Sequence, residues 1–221
     1  MSQDLYAAWA GASAAWRQLE VVSGNVANAN TPGYREQRVR FESTLETAGR
    51  VRAGAGGHGT TDGALVPDGV PTHLALRGDG FFALADGTFT RDGAFRLDEA
   101  GTLVTTSGVP VLGESGPVRL APGETLAVAG DGAVSGSVSG DLGKLRLVRL
   151  LGGAPVGGNR WTAAGTDDAD ATVVQGAREG SNVDPMRCLV DLVQASRAFE
   201  AQQKVMQASD EARARLNRMQ E

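Results

Sequence analysis

Little in these 221 residues is equipped for redox, metal or nucleic-acid chemistry. Cys188 is the only cysteine, so no disulfide can form within the chain. Set among apolar residues, it is expected to be a buried small hydrophobe. The two histidines, His58 and His73, lie in or beside predicted loops with no cysteine or carboxylate at zinc-ligand spacing. Aromatic residues make up 5% of the chain, which leaves no clustered platform for gripping a surface ligand. Lys and Arg total 21 against 26 Asp and Glu, a net charge of −5, and this balance does not supply the clustered cations that nucleic-acid binding needs. No run approaches the roughly 18 apolar residues of a membrane span, and the N-terminus has neither a basic n-region nor a compact apolar h-region. Neither membrane insertion nor a cleaved secretion signal is expected.

Catalytic motifs are equally scarce. Gly54, Gly56 and Gly59 spell G-x-G-x-x-G, but a dinucleotide site needs a strand before that run and a helix after it, and neither flank is predicted. There is no G-x-S-x-G elbow and no G-K-[ST] phosphate loop. Asp167, Asp168 and Asp170 lack the glycine and distal glutamate of a helix-loop-helix calcium site. Asp79, Asp86, Asp92 and Asp98 fall in predicted turns, where carboxylates cap backbone N–H groups more readily than they do acid–base work. No catalytic residue, metal or cofactor is expected.

What the chain has in quantity is glycine, 31 residues, and a 41% hydrophobic content sufficient for a buried core. Its charge is uneven. Residues 1–52 hold six Arg and five acids and residues 184–221 hold six basic and six acidic residues, leaving nine basic and fifteen acidic in the middle. Near-neutral ends can pack against identical copies without strong repulsion. From Ser2 to Asn28, Leu5, Trp9, Ala12, Trp16, Leu19, Ser23 and Val26 recur at alternating spacings of four and three, a seam period. Alanines around the two tryptophans leave room for another helix to approach. Asn28, Asn30, Thr31, Pro32 and Gly33 end this helix, combining residues tolerant of left-handed geometry with a proline that disfavours helix before it. A second helix is predicted from Asp184, an N-cap followed by Pro185 at the first helical position, to about Met219. Leu189, Leu192, Val193, Ser196 and Phe199 mark one face, continued by Met206, Ser209 and Leu216, and Arg213, Arg215 and Arg218 oppose the negative helix pole.

Between the helices, Tyr34 to Leu45 reads as extended and 46–70 as a loop. Short strands follow: Phe81–Ala85 and Thr88–Arg91 around a two-residue Asp86-Gly87 turn, Phe95–Leu97 with Thr102–Thr105, then Val109–Leu112, Val118–Leu120, Thr125–Val128 and Leu142–Leu150. With no helical crossover, a parallel sheet is not expected. The fold class is thus predicted as α+β: long N- and C-terminal helices pairing as a coiled-coil-like layer, with an intervening all-β domain. Residues 1–30 plus 184–221 would form a discontinuous terminal-helix assembly domain, 31–71 an extended segment and flexible loop, 72–165 the all-β domain and 166–183 a return linker.

Several ordered blocks add a resemblance. Gly24-Asn25-Val26-Ala27-Asn28-Ala29-Asn30-Thr31-Pro32-Gly33-Tyr34-Arg35 resembles the N-terminal signature of bacterial flagellar axial proteins, the rod and hook family. Glu179-Gly180-Ser181-Asn182-Val183-Asp184 resembles that family's lead into its C-terminal helix, and Ala198-Phe199-Glu200 falls where an aromatic–acid pair is expected. Gly78-Asp79-Gly80-Phe81-Phe82 and Thr90-Arg91-Asp92-Gly93-Ala94-Phe95 match in the middle. Within the family, blocks such as Gly113-Glu114-Ser115-Gly116-Pro117-Val118 and Gly143-Lys144-Leu145-Arg146-Leu147-Val148 are most like the proximal-rod branch.

The resemblance implies a structural subunit of the basal-body rod in the periplasmic space, exported unfolded through the flagellar type III export apparatus without signal cleavage. It would polymerise with copies of itself and other rod subunits into the helical drive shaft that transmits torque for motility. The interface would run along Leu5, Trp9, Ala12, Trp16, Leu19 and Val26 of the first helix and Leu189, Leu192, Val193, Phe199 and Met206 of the second. Asn25, Asn28, Asn30, Pro32, Gly33 and Tyr34 would form the motif turn. A distal-rod or hook-type axial protein and a cell-wall binding module are the alternatives, and an enzyme would need a constellation that the sequence lacks.

Overall fold

The computed structural model describes residues 2–44, 50–54, 61–157 and 159–218. The chain is α+β, with a helix at each end, α1 (Ser2–Ala27) and α2 (Pro185–Arg218), and a strand-rich centre. The strands run in order β1 (Arg40–Thr44), β2 (Arg50–Gly54), β3 (Leu65–Pro67), β4 (Leu74–Arg77), β5 (Phe81–Ala83), β6 (Phe89–Thr90), β7 (Arg96–Leu97), β8 (Leu103–Val104), β9 (Leu112–Gly113) and β10 (Gly116–Pro117). They continue with β11 (Leu126–Val128), β12 (Ala133–Gly136), β13 (Gly140–Lys144), β14 (Leu147–Leu151), β15 (Ala154–Gly157), β16 (Arg160–Thr162), β17 (Gly165–Asp168), β18 (Thr172–Gln175) and β19 (Ala177–Glu179). The chain divides into two compact units: a helical unit of Met1–Asn28, Gln37–His58 and Val183–Glu221, and a β unit of Ala29–Glu36 and Gly59–Asn182.

In the helical unit, α1 and α2 extend about 40 and about 50 Å at 1.5 Å per residue. The start of α2 follows its cap chemistry: Asp184 Oδ1 accepts the N–H groups of Met186 (3.0 Å) and Arg187 (3.2 Å), and the Asp184 carbonyl accepts from Cys188 (3.0 Å). At the end of α1 the Asn28 side chain donates to the Gly24 carbonyl at 2.9 Å, alongside the Asn28 N–H at 3.1 Å. Of the residues expected to end the helix, Gly33 is left-handed, while Asn28 and Asn30 are not. Asn159 is the non-glycine residue with positive φ among the described residues. This unit also holds the antiparallel hairpin of β1 and β2, where Arg40 pairs with Gly54, in a stretch partly read as loop from sequence.

The strand pairings of the β unit are antiparallel among the described residues, as expected from the absence of crossovers. Its largest sheet has six strands in the order β15-β16-β6-β5-β14-β17. Adjacent phenylalanines of β5 face opposite ways, the period-2 consequence of a pleated strand. Phe82 joins the main core with Leu74, Leu76, Leu84, Phe95, Leu103 and Val111. Phe81 joins a second cluster with Val148, Leu150 and Trp161. Asp86, Asp92 and Asp98 accept the N–H groups of Thr88, Ala94 and Ala100, two residues ahead in each case, so these carboxylates do cap turns.

Three sequence readings are corrected. The turn between β5 and β6 has three residues rather than two: Leu84 N–H donates to Thr88, Gly87 N–H donates to Leu84, and only Gly87, at φ 79°, is left-handed. The expected strand 142–150 breaks into β13 and β14, with Leu145 turned into the main core. Residues 166–183, read as a return linker, carry most of β17 and all of β18 and β19. β18 pairs with β4 about a hundred residues earlier, a partnership that local patterning does not encode. The sheet's outer strands are blunted: exposed Asp167 and Asp168 lie on β17, and β15 is exposed along its length and includes Pro155, which has no N–H to offer.

Glu124 anchors the loop after β12. Its carboxylate accepts the N–H groups of Ala121 (2.8 Å), Val138 (2.6 Å) and Ser139, and the Ser139 hydroxyl at 2.8 Å. The Ser139 N–H, opposed by some desolvation and joined by the other donors, holds the pKa down from the ordinary 4.5 to about 2. Because the folded pKa is depressed, this contribution to stability is complete above the ordinary value and is lost as pH falls through about 2. Acid titration of denaturant melts should show the difference between wild type and Glu124→Gln shrinking over that window; a constant difference would refute the cage. Phe82, fully buried and edge-on to Phe95 at 5.0 Å, should cost about 3–5 kcal/mol as Phe82→Ala in urea unfolding.

Candidate functional site

The helical unit holds most of the residues singled out for assembly. α1 and α2 lie antiparallel: the Trp16 and Phe199 rings stand 5.4 Å apart, and a Cβ added to Gly11 would come 3.2 Å from the Gln202 side chain. On α2 Cys188 and Ala195 are buried, and Leu192, Phe199, Gln202, Met206 and Ser209 are half-buried and continue from them at spacings of four and three, flanked by the equally half-buried Asp191 and Ser196. Leu192, Phe199 and Met206 thus fall in the expected row. Leu189 and Val193 do not, and stand exposed beside Met186 and Val190. On α1 the sunk residues are Ala12, Ala14, Ala15 and Asn25; Leu19 and Val26 are half-buried. Trp9 and Trp16 are 67% and 56% exposed. The Leu5 side chain and those of Arg213 and Leu216 lie outside the described residues. Small residues are sunk because they let helix axes approach, so the bulky tryptophans are left on the outside.

The motif residues act chiefly through hydrogen bonds to backbone. Asn25 is buried and clasps one residue twice, its Nδ2 donating to the Gln37 carbonyl at 2.8 Å and its Oδ1 accepting the Gln37 N–H at 2.9 Å. In the β unit, Asn30 is exposed, Pro32 is half-buried, Tyr34 is buried, and Gly33 has φ 66°, the left-handed geometry expected of it. The Gly33 N–H donates to the Glu179 carbonyl at 2.7 Å. Asn182 repeats the device, accepting the Glu36 N–H at 2.6 Å and donating to Thr61 at 3.0 Å.

A cluster missed by sequence reasoning lies beside this segment. Arg91 is 0% exposed, and its Nε donates to Glu179 Oε2 at 2.5 Å. Its Nη2 reaches Asp62 (3.1 Å) and the Leu76 and Gly78 carbonyls (3.1 and 2.8 Å), and its Nη1 reaches Gly80. Arg35 Nη2 lies 2.9 Å from Asp62 and 3.1 Å from Glu179, while Nη1 donates to Thr61. Burial alone would push the Asp62 carboxyl up; the Gly78 N–H, the Arg35 hydrogen bond and the charges of Arg91 and Arg35 bring it below the usual carboxylate range. Both arginines and Glu179 stand inside the quoted motif blocks, yet nothing in the local pattern marks them as buried.

Catalytic geometry does not emerge from the described residues. No group of three His, Cys, Asp or Glu among them could hold a metal ion, and no helix there is long and apolar enough to cross a membrane. Gly54 ends β2, while Gly56, Gly59 and His58 lie outside the described residues. His73 sits 2.7 Å from Asp68, which also takes Arg178 at 2.9 Å, a surface ion cluster with no nucleophile. Cys188 is buried and unbridged, as expected.

Three stretches match protein families in chain order: residues 5–35 the flagella basal body rod protein, residues 75–136 the D1 domain of the flagellar hook protein FlgE/F/G, and residues 174–219 the C-terminal region of flagellar basal body rod FlgEFG proteins. These are the three parts of an axial protein of the flagellum. The flagellar basal-body rod protein FlgF of Escherichia coli is 32% identical over 248 residues, covering 99% of this chain and 98% of the relative. FlgF of Mesorhizobium japonicum is 33% identical, covering 96% and 97%, and FlgG of Bacillus subtilis 31%, covering 96% of each. The chain belongs to the flagellar basal-body rod protein family, and is a structural rod subunit of the FlgF-like, proximal-rod kind.

Gly33 offers a direct test of the motif turn. A Cβ placed there would lie 2.6 Å from the Arg91 carbonyl carbon and oxygen and the Asp92 nitrogen, so the obstruction begins with the first side-chain atom. Gly33→Ala should therefore lose about as much β-unit stability as Gly33→Val, on the order of 1–3 kcal/mol in denaturant melts. An alanine variant with wild-type stability would show that the turn does not need glycine.

Proposed function

We propose that this subunit polymerises through its helical unit, with copies of itself and with other rod subunits, into the drive shaft that carries torque across the periplasm. The single observation that carries this reading is the apolar surface left open on the two helices: Trp9 and Trp16 on α1, and Met186 (74% exposed), Leu189, Val190 and Val193 on α2. Met186, Leu189, Val190 and Val193 follow i, i+3, i+4, i+7 spacing and share one helix face. A soluble monomer gains nothing from such a face, whereas a packed axial layer buries it. The four-three rows on α2 support coiled-coil-like pairing with α1 as the core of that layer.

On this reading the terminal helices form the assembly domain, and residues 72–165 and the strands after them form a β domain. The subunit is a structural part and catalyses nothing. It is exported through the type III export apparatus without signal cleavage and works in the periplasmic rod, inserting in no membrane and binding no nucleic acid. A distal-rod or hook-type protein would share this architecture; the FlgF likeness favours the proximal rod. A cell-wall binding module has no aromatic platform to support it.

Trp9→Asp tests the assembly face most cleanly, because Trp9 is the more exposed of the two tryptophans and the change leaves the Trp16–Phe199 contact in place. An unpaired charge in a packed layer costs several kcal/mol. The variant should be exported, melt like wild type in its β unit, and fail to build rods, with motility lost. Full-length rods from a Trp9→Asp strain would remove this face from the assembly.

A further inference from the structure

Four ionic side chains of the β unit, Arg35, Arg91, Asp62 and Glu179, come from four separate stretches of chain and meet at one point. Two guanidiniums and two carboxylates balance in charge, and three of the four are almost wholly out of water. Around them the backbone is tied in as well. Gly63 N–H donates to Glu179 Oε1 (2.9 Å), Gly78 N–H to Asp62 Oδ2 (2.8 Å), Gly33 N–H to the Glu179 carbonyl (2.7 Å) and Gly180 N–H to the Ala64 carbonyl (2.8 Å). Residues 29–36, 61–64 and 177–182 are thus bonded to each other and to residues 76, 78, 80 and 91 through polar contacts. None of Asp62, Gly63, Asn182 or Arg35 belongs to the apolar cores.

We propose that this cluster is an ionic latch: 29–36, 61–64 and 177–182 open as one unit while the β core stays closed, and Asp62 is the release point. Cooperativity follows from the sharing of partners. Asp62 serves both arginines, and both arginines serve Glu179, so separating any one segment leaves charges of the others buried and unanswered. Asp62 is the release point because its side chain is 33% exposed, where water can replace its partners, while the other three side chains are at most 4% exposed. The opened segments are the leads into α1 and α2, and their release would let both leads re-aim as a subunit is seated. That use rests on the rod reading; the latch itself does not.

Native-state hydrogen exchange of the full chain in low denaturant, read by mass spectrometry, tests the latch without any assembly step. In wild type, 29–36, 61–64 and 177–182 should exchange with a common denaturant dependence, well ahead of 74–76, 81–84 and 103–104. Asp62→Asn, which keeps the shape and removes the charge, should speed all three segments together by about tenfold and leave the core rates unchanged. Glu124→Gln, a carboxylate change elsewhere in the β unit, should leave all three segments as in wild type. Unrelated rates in the three wild-type segments, acceleration of 61–64 alone, or equal acceleration of the core by Asp62→Asn would each overturn the latch.

Discussion

A guanidinium taken completely out of water must have its donors answered, and the β unit is arranged around answering those of Arg91. Its partners are two carboxylates and three backbone carbonyls drawn from residues 62, 76, 78, 80 and 179. Each of those residues has its position fixed by the requirement, because removing one partner from a buried pair costs about 3–5 kcal/mol. The tight approach of Gly33 to the Arg91 backbone places the end of the N-terminal signature against the same residue. Signature blocks that are far apart in sequence are thus neighbours in space, and the spacing between them matters less than the atoms they bring together.

The helical unit is governed by the opposite physics. No charge is buried there among the residues discussed; small side chains are sunk between α1 and α2, while Trp9, Trp16, Met186, Leu189, Val190 and Val193 remain exposed. Asn25 is the polar exception, buried but satisfied by both backbone groups of Gln37. The Arg91 cluster of the β unit is therefore fixed by directional bonds and the paired terminal helices by close approach, two kinds of packing that tolerate substitution differently.

Much of this was legible beforehand because it is local. Asp184 and Pro185 announced the start of α2, Gly33 its left-handed turn, the turn aspartates their capping, and the signature blocks the family. The less legible parts depend on distant partners. Strands of two to four residues such as β17, β18 and β19 have too few positions to show alternation, and their pairing is decided by chain a hundred residues away. The row along α2 was displaced toward Cys188 and Ala195 because hydropathy ranks leucine and valine above them, whereas helix packing prefers the smaller side chains. Nothing in the sequence marked Arg91 and Arg35 as buried, since burial of a charge leaves no periodic trace.

The blunted margins of the six-stranded sheet have a consequence for the state in which such a protein waits. A strand at a sheet margin recruits other strands wherever its N–H and C=O groups are open, flat and uncharged. Here one margin repels an incoming strand with Asp167 and Asp168, and the other interrupts it at Pro155. Edge-to-edge pairing of two copies of the sheet, the first step toward a cross-β fibril, is thereby disfavoured at both margins.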